Sequence, residues 1–152
     1  MKVEKKWKVL FLCTGNSCRS QMAEGFARFL TGDQIDPYSA GIEIHGLNQK
    51  AVQVMKEVGV DISKHCSKNV LEMLSIPFDY VITVCDNAKE SCPLFPGKIK
   101  ILHVGFEDPV TLEKREESEE SKLNCYRKVR EEIKELILKL PGLLTKENEE
   151  VK

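Results

Sequence analysis

The chain has 152 residues and a formal net charge of −1. Its length fits one domain with a single hydrophobic core, so we expect one domain over residues 1–152. The balanced charge, without a lysine-rich tract, argues against nucleic acid or an anionic membrane as a partner. No stretch reaches transmembrane length, and the apolar run after the N-terminus is too short for a signal peptide. We therefore expect a cytoplasmic protein, and a monomer.

Short apolar runs alternate with stretches of helical periodicity. Residues 7–12 are typical of a strand buried on both faces of a parallel sheet. Apolar residues from Met22 to Leu30 then recur at helical spacing, and Gly32 follows where the helix should end. The later predicted elements are an edge strand over 36–41, helices over 48–58 and 67–74, a buried strand over 79–85, a strand over 98–104 and a helix over 129–140. This alternation predicts an α/β fold, a four-stranded parallel sheet with helices on both faces.

Other segments carry weaker signals. The polar residues 86–91 predict a short helix or a loop of low local stability. A charged insertion over 111–121 predicts a solvated loop or helix extension and not a site. The last helix is expected to stop at Pro141-Gly142, with residues 145–152 as a frayed tail. His45 is expected to be a surface histidine.

Six cysteines occur, at positions 13, 18, 66, 85, 92 and 125. In a cytoplasmic chain they favour metal binding or redox chemistry over a disulfide framework. No two are spaced as CxxC and the three histidines are scattered, so we expect no metal site. The cysteines therefore indicate redox chemistry, with Cys125 expected to be a buried structural thiol.

The stretch from Cys13 to Ser20 joins the first strand to the first helix, and its composition predicts an anion-binding loop. Backbone N–H groups converge at a helix N-terminus and attract anions. Gly15 and Asn16 accept the backbone angles that such a curled loop needs, and Arg19 can add a bidentate guanidinium. The predicted oxyanion-binding residues are Thr14, Gly15, Asn16, Ser17, Cys18, Arg19 and Ser20.

Cys13 lies at the base of this loop, where the helix dipole, the N–H groups and Arg19 favour the thiolate. These surroundings predict a nucleophile, with the Ser20 hydroxyl donating to the sulfur. The alternative is a small buried hydrophobic residue, which is the usual role of a cysteine in an apolar run.

Cys85 also ends a buried strand, so it should lie on the same rim of the sheet as Cys13. Six residues separate it from Cys92. Asp108, before a proline on the same rim, is placed to protonate a departing oxygen. The alternatives are two passive core cysteines and an ordinary Asp-Pro turn.

The motif Cys13-x5-Arg19-Ser20 resembles the phosphate loop of the low-molecular-weight protein tyrosine phosphatases. The longer run from Cys13 to Gly25 resembles the thioredoxin-coupled arsenate reductases, which share that fold. The resemblance implies that Cys13 attacks arsenate while Asp108 protonates the leaving oxygen. It further implies that Cys85 and then Cys92 carry the resulting disulfide outward to a thioredoxin-like reductant. Phosphate or sulfate would act as mimics of arsenate.

In this branch the resemblance also implies a potassium ion, held near the loop by residues that match Asn16, Glu24 and Ser39. Where the cation-binding relatives have a threonine and an aspartate, this chain has Cys66 and Lys68. We therefore expect no potassium cofactor, with the Lys68 ammonium beside Glu24 in its place. The alternative is an ordinary surface lysine.

Two other functions remain open on the sequence. One is a low-molecular-weight phosphatase acting on phosphotyrosine or a small phosphate ester. Such phosphatases carry tyrosines beside the Asp-Pro acid, whereas this chain has Phe106, Glu107 and Val110 there. The other is a non-catalytic module that binds oxyanions or senses thiol oxidation through Cys13.

Overall fold

A computed structural model of the chain describes residues 5–150, with side chains through residue 145. Four parallel strands form one sheet in the order β2-β1-β3-β4. They are β1 (Trp7–Cys13), β2 (Ile35–Gly41), β3 (Tyr80–Thr83) and β4 (Lys100–His103). Val9 to Leu12 of the central strand β1 are fully buried, so both faces of the sheet are covered. The predicted α/β fold is confirmed.

Within residues 5–150, five α-helices and one short 3-10 helix connect and cover the strands. They are α1 (Arg19–Thr31), α2 (Gln49–Glu57), α3 (Asp86–Glu90), α4 (Pro109–Glu113), α5 (Glu119–Glu150) and the 3-10 helix Val70–Met73. The helices α1, α2 and α4 pack against α5. In the part of the chain that is described, no helix is both long and apolar enough to cross a bilayer.

The register of the sheet brings the strand ends together. Leu12 pairs with Thr83, and the Val84 backbone N–H donates to the Leu12 carbonyl at 2.9 Å. The loops that follow β1, β3 and β4 therefore leave the sheet along one rim, as the sequence predicts. Strand β2 lies at an edge of the sheet, which explains how it tolerates Pro37.

The predicted stop at Pro141-Gly142 is wrong, because α5 continues through Pro141 to Glu150. A proline inside a helix removes one backbone hydrogen bond and costs about 3 kcal/mol. Leu140 and Leu144 are almost fully buried on either side of it, and burial of two leucines offsets that cost. The predicted frayed tail is accordingly helical over 145–150, and residues 151–152 lie outside the described residues.

Two further predictions need correction. The helix expected over 67–74 is only the 3-10 turn Val70–Met73, because Lys68 and Asn69 run extended beside Gly41. The charged insertion over 111–121 does not need correction, because it is mostly exposed and extends α4 and α5, as expected, with Glu113 half-buried within it. Cys125 is also half-buried and not fully enclosed.

Candidate active site

The loop after β1 is shaped by hydrogen bonds to the segment 42–48. The carbonyls of Cys13, Thr14 and Gly15 accept from the backbone N–H groups of Ile42, Glu43 and His45, and the Ser17 carbonyl accepts from Asn48. In a trans peptide the carbonyl and the following N–H point in opposite directions. The N–H groups of residues 14, 15, 16 and 18 therefore turn away from that segment, toward the pocket above Cys13.

Asn16 fixes the curl of this loop. It is fully buried and has a φ of 49°, a left-handed conformation that asparagine tolerates better than most residues. Its side-chain oxygen accepts from the Lys68 backbone N–H at 2.8 Å and from Gln21 at 3.1 Å. Its carbonyl accepts from the Ser67 hydroxyl at 2.7 Å. Contacts from within the chain therefore hold the loop in this shape.

Cys13 and Ser20 form the base of the site. Cys13 is only 3% exposed, and its sulfur lies 2.8 Å from the Ser20 hydroxyl oxygen. The Asn16 side-chain amide donates to that same oxygen at 2.8 Å. A thiolate sulfur can only accept, so when Cys13 is ionised the Ser20 hydroxyl donates to it and stabilises that form.

Arg19 and Asp108 face the pocket from two different loops. A guanidinium N–H of Arg19 donates to the Phe106 carbonyl at 3.0 Å, and another guanidinium nitrogen lies 3.8 Å from an Asp108 carboxylate oxygen. Asp108 caps α4 by accepting from the Val110 backbone N–H at 3.0 Å. The loop after β4 therefore brings an acid to the mouth of the anion loop.

A pocket of about 380 Å³ lies above Cys13. Its lining comprises Cys13, Thr14, Gly15, Ser17, Cys18, Arg19, His45, Asn48, Asp108 and Val110. The side chains of Asn16 and Ser20, which the sequence grouped with the anion ligands, are buried behind the loop and support it. Burial, followed by the charge of neighbouring Cys13, raises the pKa of Cys18, so Cys18 remains a neutral thiol.

Sequence reasoning missed two lining residues. His45 is exposed, as predicted, but it also lines the pocket, and its ring packs so closely on Gly15 that a Cβ there would lie 2.2 Å from Nδ1. The sequence predicted Asn48 only as the N-cap of α2, and the structure confirms that cap. The spacing from Gly41 to Asn48 gives no sign that this segment folds back over the loop.

Cys85 lies beside the anion loop. The Thr14 hydroxyl oxygen is 3.3 Å from the Cys85 sulfur, and the Asn87 side-chain amide donates to that hydroxyl at 3.2 Å. Cys85 is also the N-cap of α3, since its sulfur accepts from the Ala88 backbone N–H at 3.4 Å. Cys92 follows the other end of α3, is half-buried and is a free thiol.

Glu24 lies behind the loop and is almost fully buried. It accepts from Ser39 at 2.6 Å and from Arg28 at 2.7 Å, and Lys68 Nζ is 4.0 Å away. Burial would raise the pKa of Glu24, but the hydrogen bonds from Arg28 and Ser39 lower it below its ordinary value. Lys68 Nζ also donates to the Cys66 carbonyl at 2.9 Å. Among the described residues, no group of three or more His, Cys, Asp or Glu side chains is placed to hold a metal ion.

A cysteine at the base of an anion loop, faced by an arginine and an aspartate, defines a cysteine-dependent enzyme of oxyanion chemistry. The family described as low molecular weight phosphotyrosine protein phosphatase matches residues 8–150. The chain belongs to this family and groups within it with proteins named arsenate reductase.

Three relatives illustrate that grouping. An arsenate reductase of Halalkalibacterium halodurans is 48% identical over 125 residues, which are 82% of this chain and 88% of that protein. The solved structure of an arsenate reductase in its oxidised state aligns with a TM-score of 0.74 at 32% identity, covering 90% of this chain and 98% of the other. A thioredoxin-dependent arsenate reductase of Corynebacterium glutamicum aligns with a TM-score of 0.69 at 26% identity, covering 95% and 64%.

Proposed function

We propose that the protein reduces arsenate to arsenite with Cys13 as nucleophile and a relay through Cys85 and Cys92. The observation that carries this proposal is that two cysteines meet the same loop: Cys13 lies at the base of the anion loop, and Cys85 contacts Thr14 of that loop. A hydrolase of phosphate esters needs only the first of these thiols. A reductase needs further thiols, because they supply the two electrons.

In the first step the loop N–H groups and Arg19 hold arsenate, and the Cys13 thiolate attacks the arsenic. A sulfur–arsenic bond forms while an arsenic–oxygen bond breaks. Asp108 donates its proton to the departing oxygen, which leaves as water. Ser20, whose hydroxyl oxygen lies 2.8 Å from the sulfur, donates to the Cys13 thiolate and keeps it ready for attack.

In the second step the Cys85 thiolate attacks the Cys13 sulfur, a disulfide forms, and the electron pair of the sulfur–arsenic bond passes to arsenic. Arsenite leaves with arsenic reduced by two electrons. Cys92 then attacks Cys85, which frees Cys13 as a thiolate and leaves a Cys85–Cys92 disulfide. At about 1.5 Å per residue the helical path from Cys85 to Cys92 spans about 10 Å, beyond the reach of a disulfide, so α3 must unwind.

A thioredoxin-like dithiol reduces the Cys85–Cys92 disulfide and resets all three cysteines. The short length of α3 supports this route, because a helix of five residues is marginal by itself and opens at low cost. We place the reaction in the cytoplasm, where thioredoxins keep thiols reduced, and assign it to a monomer.

Lys68 is proposed to replace a monovalent cation in this protein. Glu24 is already surrounded by Arg28, Lys68 and Ser39, so its surroundings do not fit a potassium ion. We expect potassium and sodium chloride to give equal activity and equal melting temperatures, with Lys68→Met reducing stability in both salts. Strong potassium activation of the wild-type enzyme would contradict this assignment.

The second candidate is a phosphatase, which the shared anion loop and Asp108 favour. One assay separates the functions: arsenite formation with thioredoxin, thioredoxin reductase and NADPH, measured beside hydrolysis of an aryl phosphate. We expect one NADPH consumed per arsenite, loss of activity in Cys13→Ser, and full activity in the control Cys125→Ser. Ester hydrolysis without arsenite would identify a phosphatase, and neither activity would identify a binding or sensing module.

A further inference from the structure

Glu113 and its partners hold the acid loop in place, and the proposed chemistry assigns them no role. We propose that Glu113 is a positioning residue, which fixes α4 and therefore Asp108 against the anion loop through Lys50 and Tyr126. This inference rests on the proposed function, because it concerns the acid that protonates the departing oxygen.

Helix α4 cannot fix its own position. It has five residues, Pro109–Glu113, and isolated helices shorter than about 12 residues are marginal in water. At its first turn Asp108 accepts from the Val110 backbone N–H and from the Thr111 hydroxyl, at 3.0 and 3.3 Å. These local bonds set the shape of the turn but not its place on the protein. Its place depends on side chains that reach other elements.

Glu113, the last residue of α4, makes such a contact. Lys50 Nζ, on α2, lies 3.0 Å from one carboxylate oxygen, and the two side chains are only 28% and 21% exposed. An ion pair shielded in this way exceeds the small worth of a fully exposed pair. Lys50 Nζ also lies 6.0 Å from the centre of the Tyr126 ring, within reach of a cation–π contact.

The second oxygen of Glu113 is buried and has no close hydrogen-bond partner. Burial would raise the pKa of Glu113, but the interactions with Tyr126 and Lys50 lower it, so the group is charged at neutral pH. The carboxylate of Glu113 is partly buried and has few partners, so we expect the position of Glu113 to change when Lys50 or Tyr126 is removed.

Tyr126 links the two halves of the site. It is 1% exposed, and its hydroxyl oxygen accepts from the Asn48 side-chain amide at 3.2 Å. The Asn48 backbone N–H donates to the Ser17 carbonyl of the anion loop at 3.0 Å. The anion loop and the acid loop therefore share Tyr126 as a common support, which is reached through Asn48 on one side and through Lys50 and Glu113 on the other.

The test compares Glu113→Gln and Lys50→Met with Asp108→Asn and with the double variant Glu113→Gln/Asp108→Asn. Glu117→Gln, at an exposed site on the same segment, is the matched control. Steady-state arsenite formation gives kcat and KM, and calorimetric binding of inorganic phosphate reports on the anion loop alone. Thermal melting of each variant checks folding.

We expect Glu113→Gln and Lys50→Met to lower kcat about tenfold, because a displaced catalytic group loses efficiency steeply. Phosphate affinity and KM should stay within about twofold, because the anion loop is intact. In the Asp108→Asn background Glu113→Gln should add nothing, because a residue that acts only through Asp108 has no effect once that acid is removed. Glu117→Gln should match the wild type.

Three results would overturn the inference. The first is an unchanged kcat in both Glu113→Gln and Lys50→Met. The second is a loss of phosphate affinity as large as the loss of kcat. The third is a kcat in Glu113→Gln/Asp108→Asn that is lower than in Asp108→Asn alone. If Glu113→Gln fails to fold, Lys50→Met alone and combined with Asp108→Asn decides the same question. Wild-type protein that forms no arsenite refutes the proposed function itself, an outcome that is distinct from active enzyme with an inert Glu113.

Discussion

The Thr14 hydroxyl oxygen lies 3.3 Å from the Cys85 sulfur, while Cys13 is the residue immediately before Thr14. This contact follows from the register of β1 and β3, which pairs Leu12 with Thr83 and brings the next residues of both strands to one level. The contact therefore brings the second thiol of the proposed relay to the loop that begins at the first. The third thiol, Cys92, is separated from them by α3.

Cys92→Ser should allow about one turnover and then stall, because Cys85 would have no thiol to pass the disulfide to. We expect one equivalent of arsenite per protein and a Cys13–Cys85 disulfide in peptides analysed by mass spectrometry. Cys125→Ser, on α5, should turn over like the wild type. Continued turnover by Cys92→Ser would refute the relay.

The attack of Cys92 on Cys85 should become faster as the pH rises. Burial raises the pKa of the Cys92 thiol above its ordinary value, so only a small fraction is thiolate at neutral pH. Below that pKa the thiolate fraction increases about tenfold per pH unit. We expect the Cys85–Cys92 disulfide, trapped by acid during a single turnover and measured by mass spectrometry, to form faster at pH 9 than at pH 7. A flat wild-type profile would contradict the prediction.

Gly15→Ala should damage the anion loop through His45. The added Cβ would lie 2.2 Å from His45 Nδ1 and 2.8 Å from His45 Cβ, so either the ring or the loop must move. We expect a loss of about tenfold or more in kcat/KM for arsenate. His45→Gly in the same chain removes the clash and should recover part of that loss. If the double variant is no better than Gly15→Ala alone, the defect lies in the loop backbone and not in the contact with His45.

Pro141→Ala should stabilise the protein, because alanine restores the backbone N–H and the helix propensity that proline lacks in the interior of α5. We expect a gain of about 1–3 kcal/mol in the free energy of unfolding, measured by urea denaturation. Arsenate reduction should be unchanged. A loss of stability would mean that the proline ring makes packing contacts worth more than the missing hydrogen bond.

The fold was predictable because its signals are local. Buried apolar runs marked β1 and β3, Pro37 marked an edge strand, and Asn48 marked the start of α2. The extent of α5 was not predictable in this way. A proline signals a helix end from its own chemistry, and only the tertiary burial of Leu144 overrides that signal.

In the candidate site too, residues that are close in sequence were predictable, whereas contacts between separate elements were not. Cys13, Arg19 and Ser20 lie close together in sequence, and their shared surroundings follow from the strand, the turn and the helix that carry them. The ring of His45 over Gly15 and the contact between Lys50 and Glu113 join residues from separate elements. Such pairs leave no periodic trace in the sequence, because each depends on how a long segment folds back.

The rigid curl imposed by Asn16 has a consequence for selectivity in a cell rich in phosphate. An anion loop of fixed shape selects only for the shape and charge of a tetrahedral anion. We therefore expect phosphate to bind as readily as arsenate and to occupy the loop without reacting. Discrimination then falls to the sulfur-to-sulfur transfer that follows, which only arsenic can complete by accepting an electron pair. The enzyme would thus distinguish the two anions by whether the bound anion can be reduced. Its rate of turnover would depend on the ratio of arsenate to phosphate in the cell.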